Sequence, residues 1–159
     1  MTDTVNSPPG EGPTQAQRDR KLPVLAWVRL MRVYHKMNRR TAEEMRPQGL
    51  SVSRFDILNH VGVREGRTQQ ELANALFVTK GNIVQLLDGM EADCLLYRRR
   101  RGRTNLIYLT DAGRALREET LNHHEARVAD DLSVLTPDEQ ETLLTLLRKL
   151  DKSLNETHP

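Results

Sequence analysis

The sequence predicts a mainly α-helical protein with one small β-hairpin, and three observations carry that prediction. Apolar residues recur at three-to-four spacing over most of the chain, as one buried face of a helix requires. Period-two alternation is concentrated between residues 95 and 109, around Arg101-Gly102. Helix-opening signatures punctuate the rest: Ser51, Thr68 with Glu71, Thr79, Thr110, and Thr136 with Glu139.

Residues 1 to 20 are mostly Pro, Gly, Thr, Ser and Gln with little to bury, and read as a disordered tail ahead of a single domain over 21–159. Pro23 sits where a first-turn proline is tolerated and opens a helix to about Met45, with Trp27, Leu30, Met31, Tyr34, Met37, Thr41 and Met45 on one face. Pro47 and Gly49 end it. Ser51 caps the next helix, whose expected inner residues are Phe55, Ile57, Leu58 and Val61. Thr68 and Glu71 fit the T-x-x-E box of a short helix from Gln69 to about Leu76. Thr79 caps another to about Asp93, with Ile83, Leu86, Leu87 and Met90 inward.

Two short strands follow, at 95–99 and 105–109, and Thr110 caps a long helix reaching the region of Asp131. Thr136-Pro137-Asp138-Glu139 supplies a cap, a first-turn proline and a capping-box acid. The helix it opens carries Leu143, Leu144, Leu146, Leu147, Leu150 and Leu154, more leucine than an isolated terminal helix can bury without a partner surface.

Several function classes are excluded by composition. At 159 residues and 18.2 kDa the chain suits one domain, and no apolar run approaches the roughly 18 residues of a membrane span. The first residues lack the basic and apolar regions of a secretory signal, so a cytoplasmic location is expected. A single cysteine, Cys94, excludes an internal disulfide and a multi-cysteine metal site. The net charge of +2 is divided unevenly: residues 21–110 hold sixteen Lys/Arg against eight Asp/Glu, and residues 111–159 hold six against eleven. Such segregation suggests that the middle of the chain meets a polyanion.

Two short helices across a tight turn, within QQELANALFVTKGNIVQLLDGM, form a helix-turn-helix candidate. Ala73 lets the helices approach, while Leu72, Leu76, Val78, Ile83 and Leu86 supply a shared core. Thr79, Lys80, Gly81, Asn82 and Gln85 are left at the exposed N-terminal end of the second helix. Asn and Gln can pair bidentately with adenine, and Lys can reach guanine or phosphate. The next element bears Arg98, Arg99, Arg100, Arg101 and Arg103 around Gly102. A solvated charged loop is the plain reading of such a run. Its place directly after a recognition-type helix favours a wing whose arginines enter a narrowed minor groove.

From Leu50 to Leu116 the chain resembles the MarR/SlyA family of bacterial transcriptional regulators, through LSVSRFDIL, TQQELANAL, VTKGNIVQLLDGMEADCLL and LIYLTDAGRAL. TPDEQETLLTLLRKL is similar to the family's last dimerisation helix, and the likeness extends over about 135 residues. It implies a winged helix-turn-helix lobe at about 50–110, with dimerisation helices at about 22–46 and 111–155. It also implies a homodimer on double-stranded DNA that often dissociates on binding a small aromatic or phenolic ligand. Thr79, Lys80, Gly81, Asn82 and Gln85 would read the major groove and Arg101 and Arg103 the minor groove. Thr68, Gln69 and Arg98 to Arg100 would lie on phosphates.

The chain departs from the family pattern at three places. Arg101 stands where relatives keep an acid, Phe77 replaces a turn glycine so that a differently built turn is expected, and Cys94 stands where a glycine with positive φ is common. Cys94 is most simply a small buried apolar residue, and the alternative is a redox-responsive thiol. Trp27, Arg32, Tyr34, His35 and Phe55 are candidates for an effector pocket, against a plain role in the core. The five histidines, with the pair His123-His124 on different sides of a helix, show no metal spacing and read as solvent-facing. No catalytic motif is present, so neither an enzyme nor a cofactor is expected. The resulting expectation is a homodimeric repressor, with a winged-helix protein-interaction module as the alternative.

Overall fold

The computed structural model describes the backbone of residues 15–156 and the side chains of residues 21–154. The order of elements is α1 (Gln15–Met45), a 3-10 turn (Arg46–Gln48), α2 (Val52–Val63), β1 (Arg67–Thr68), α3 (Gln69–Ala75), α4 (Lys80–Ala92), β2 (Leu96–Arg101), β3 (Thr104–Leu109), α5 (Asp111–Leu132) and α6 (Pro137–Glu156). The chain divides into two compact units, Met1–Glu43 and Glu44–Pro159.

In the first unit α1 begins at Gln15, so helix occupies the last part of the expected tail and Pro23 lies inside the helix instead of opening it. Residues 15–22 are good helix formers apart from Asp19, and the proline removes only one backbone donor. The expected disorder of residues 1–14 falls outside the described residues. Thr41 is buried and returns its hydroxyl to the Met37 carbonyl at 3.1 Å.

The second unit is built around α2, α3, α4 and a three-stranded antiparallel sheet of order β1-β3-β2. Its core joins Met45 and Leu50 to Phe55, Ile57, Leu58 and Val61 of α2, Leu72 and Ala73 of α3, Ile83, Leu87 and Met90 of α4, and Leu96, Ile107 and Leu109 of the sheet. Leu86 packs on this core only partly buried. Both Ile57 and Leu58 are buried because α2 is covered by α5 on one side and by β3 and α4 on others. The two-residue β1, which no sequence signal marks, pairs Arg67 with Ile107 and Thr68 with Leu106.

The expected caps form. Ser51, Thr79 and Thr110 accept hydrogen bonds from Arg54, Asn82 and Gly113 at 3.3, 3.2 and 3.0 Å. Thr68 and Glu71 close a reciprocal capping box, and the Thr68 N–H and hydroxyl hold the Glu71 carboxyl below its ordinary range. Thr136 and Glu139 close the same reciprocal box on α6, at 2.8 and 3.4 Å.

Three segments end in one motif, in which the N–H of the second residue past the cap reaches a carbonyl five residues back. Leu50 bonds Met45 at 3.2 Å, Val78 bonds Ala73 at 3.0 Å and Leu95 bonds Met90 at 2.9 Å. The residue before each is left-handed: Gly49 at φ 69°, Phe77 at 52° and Cys94 at 56°. The turn before α4 is therefore built as glycine would build it, contrary to the expectation raised by Phe77. An L residue accepts this conformation at a cost of about 1–2 kcal/mol. Cys94 is exposed, not buried, because its Cβ leaves the chain at a surface turn.

His124 is also placed otherwise than expected. It is half-buried, its ring meets Phe55 edge to face at 4.9 Å, and its Nδ1 lies 3.2 Å from an Arg127 guanidinium nitrogen. Arg127 in turn pairs with Glu44 at 2.6 Å and Asp131 at 2.7 Å, tying α5 to the end of α1. His123 is exposed and bonds the Glu119 carbonyl of its own helix.

Asp56, on α2, is pushed above the ordinary carboxylate range by burial, an effect opposed by His60 and His124. A raised native pKa means that the folded state holds the proton longer, so stability falls as pH rises through the window between the unfolded and native values. Asp56→Asn is therefore expected to raise the melting temperature at pH 7, and the gain should shrink through about pH 4 and vanish by about pH 3, where Asp56 is protonated in both states. An equal gain at pH 7 and pH 3.5 would contradict the assignment.

Candidate nucleic-acid interface

The site starts from the N-terminal end of α4. Thr79 caps the helix through its hydroxyl, and Lys80, Gly81, Asn82 and Gln85 are all exposed on its first turn and a half. Between Asn74 and Gln85 there is one lysine and no acid, so the positive helix end is not neutralised locally. A shallow cleft of about 360 Å³ lies on this side, lined by Ser53, Val78, Asn82, Gln85 and Leu86. It adds Ser53, the second residue of α2, to the face. Only the packing of α2 against α4 brings it there, so the sequence carries no signal for it.

The wing follows from the sheet. β2 and β3 pair in register from Leu96 with Leu109 to Arg101 with Thr104, leaving Gly102 and Arg103 as a two-residue loop. Gly102 at φ 61° in the first loop position, with Arg103 outside the left-handed region, matches a type II′ hairpin. Arg101 therefore ends the paired strand, and no acid is needed to close the turn. Arg99, Arg101 and Arg103 are exposed and form no ion pair among the described residues. Arg100 donates to the Gly102 carbonyl at 3.2 Å. Arg99, Arg100, Arg101, Leu106 and Tyr108 surround a cleft of about 340 Å³, beside stacked Tyr97 and Tyr108 rings with centroids 5.5 Å apart.

Arg98 is paired within the chain. Its guanidinium pairs with Asp88 at 2.6 Å and with Glu91, both on α4, and its side chain is only 15% exposed. Strand alternation puts it on the face of β2 that carries the buried Leu96, so it ties β2 to α4. Thr68 and Gln69 are half-buried at the start of α3. The Thr68 hydroxyl accepts the Glu71 N–H at 3.1 Å.

The effector candidates differ in burial. Phe55 is a core residue against His124. In the first unit Trp27 and Tyr34 are 60% and 56% exposed, and the rings of Tyr34 and His35 meet edge to face at 5.5 Å. Among the described residues no group of three or more His, Cys, Asp or Glu gathers to hold a metal, and no helix is long and apolar enough to cross a membrane.

The MarR family model matches residues 48–104. An HTH-type transcriptional regulator of Bacillus cereus, itself uncharacterised, is 31% identical over 138 residues, covering 85% of this chain and 92% of that protein. The chain belongs to the MarR family. A MarR-family regulator from Silicibacter pomeroyi superposes with a TM-score of 0.71 at 28% identity, covering 79% of this chain and 86% of that one. The Mycobacterium tuberculosis MarR-family protein Rv2887, in complex with salicylic acid, gives 0.64 at 27% identity, covering 76% and 92%. Membership identifies the helix pair α3–α4 and the β2–β3 hairpin as the winged helix-turn-helix of a MarR-family transcriptional regulator.

Proposed function

We propose that this MarR-family chain is a homodimeric, cytoplasmic repressor that holds a pseudo-palindromic operator in double-stranded DNA and releases it on binding a small aromatic acid or phenol. The observation that carries the reading is the pairing of an acid-free, exposed N-terminal end of α4 with a wing tip whose Arg101 and Arg103 have no ion-pair partner among the described residues. Thr79, Lys80, Gly81, Asn82 and Gln85 read base edges in the major groove, Arg101 and Arg103 reach the minor groove, and Arg99, Arg100, Thr68 and Gln69 touch phosphates. The leucines of α6 remain 37% to 67% exposed, an apolar stripe suited to a second copy. A two-fold dimer sets half-sites about 34 Å apart. Salicylic acid in Rv2887 supports an aromatic-acid effector. In this chain Arg32, with Trp27, Tyr34 and His35, supplies the charge and rings such a ligand requires.

The test is binding of the full chain to its own upstream DNA. Expected are a mass near twice 18.2 kDa, protection of a palindrome, a steep fall of affinity with salt, and a loss of about tenfold or more for Arg103→Ala. Sequence-blind binding at low salt would reject the operator and favour a protein-interaction role. Salicylate that neither raises the melting temperature nor weakens the complex would reject the effector class.

A further inference from the structure

Phe77 holds a left-handed conformation that an L side chain resists, and among the described residues nothing repays it: its ring is 92% exposed. The other two residues in the same motif have side chains that ask for little, Gly49 with none and Cys94 with a small one. A strained backbone that carries a large unburied ring points to a contact made outside the chain. The ring stands two residues before Thr79, at the end of α4 that bears the exposed Thr79, Lys80, Gly81 and Asn82. Its chain neighbour Val78 lines, with Leu86, the cleft that Asn82 and Gln85 share. An apolar ring at the edge of an acid-free, amide-rich face matches the one apolar feature of the major groove, the thymine C5 methyl.

We propose that Phe77 is a base-reading residue whose ring packs on a thymine methyl at the edge of the major groove, adding specificity that α4 alone does not provide. The inference rests on the operator-binding reading above. It is tested with the full chain on a duplex from its own upstream region, and on duplexes in which single thymines are replaced by deoxyuridine, which lacks only the methyl.

Phe77→Gly should melt about 3 °C higher than the parent, as should Cys94→Gly. Phe77→Gly should also bind the duplex about fivefold to tenfold more weakly, whereas Cys94→Gly should bind unchanged. Phe77→Ala, which keeps the strain and loses the ring, should lose the same affinity without the thermal gain. One deoxyuridine position should weaken the parent several-fold and leave Phe77→Gly indifferent. Parent binding with Phe77→Gly unimpaired would overturn this inference alone, as would deoxyuridine effects that are the same in both proteins. A parent with no preference for any duplex would overturn the operator reading and this inference with it.

Discussion

Gly113→Ala is expected to lower the melting temperature by roughly 6 °C. A Cβ on Gly113 would fall far inside contact with the Leu95 carbonyl oxygen and 2.9 Å from its carbon, which are backbone atoms and cannot turn aside. That carbonyl accepts the Thr110 N–H at 3.2 Å, while the Thr110 hydroxyl donates to Cys94 O at 2.6 Å and accepts from Gly113 N–H at 3.0 Å. Thr110 thus pins the first turn of α5 to the link between α4 and β2, and a methyl at Gly113 pries the joint open. Overpacking against backbone costs about 3 kcal/mol. The better helix propensity of alanine returns at most about 1 kcal/mol. The clash wins, and a thermal melt checks it; Gly89→Ala, with nothing within 4 Å of the added Cβ, is the control that should not destabilise.

Arg98→Ala is expected to cost about 2 kcal/mol, below the full penalty for breaking a buried pair because Asp88 and Glu91 keep access to water. The Arg98 N–H still reaches Glu91 at 3.1 Å, so the strand keeps part of its attachment to α4. Arg103→Ala, at the exposed loop tip, should leave the melting temperature unchanged and act only on DNA affinity. Thermal melts beside binding curves separate the two roles. An Arg98→Ala protein with parental stability and the affinity loss of Arg103→Ala would return Arg98 to the DNA surface.

Five identical side chains that look alike in YRRRRGR thus have different duties, for a reason that lies across a turn. Arg98 shares the Leu96 face of β2, and that face lies on α4, where two carboxylates wait seven and ten residues earlier in the chain. The starts of α2 to α6 were legible because each capping signature is complete within four residues and needs no tertiary partner. β1 was not legible, since two residues make a strand only where β3, some forty positions on, offers an edge.

His124 shows the same limit. A histidine pair on a charged helix carries no sign that one ring will lie between Phe55 and the Arg127 pairs. Phe55 was legible as inner-facing from helical periodicity. The exposure of Trp27 and Tyr34 was not, because spacing states which residues share a face and not what covers that face.

By itself the sequence determined the helix order, the caps, the recognition helix with its exposed polar end and the arginine-bearing hairpin, because each depends on residues close together in the chain. Only tertiary structure decided which arginine is tied down and that Gly113 tolerates no side chain. Each of those depends on the distance between backbones that meet only after the chain has folded.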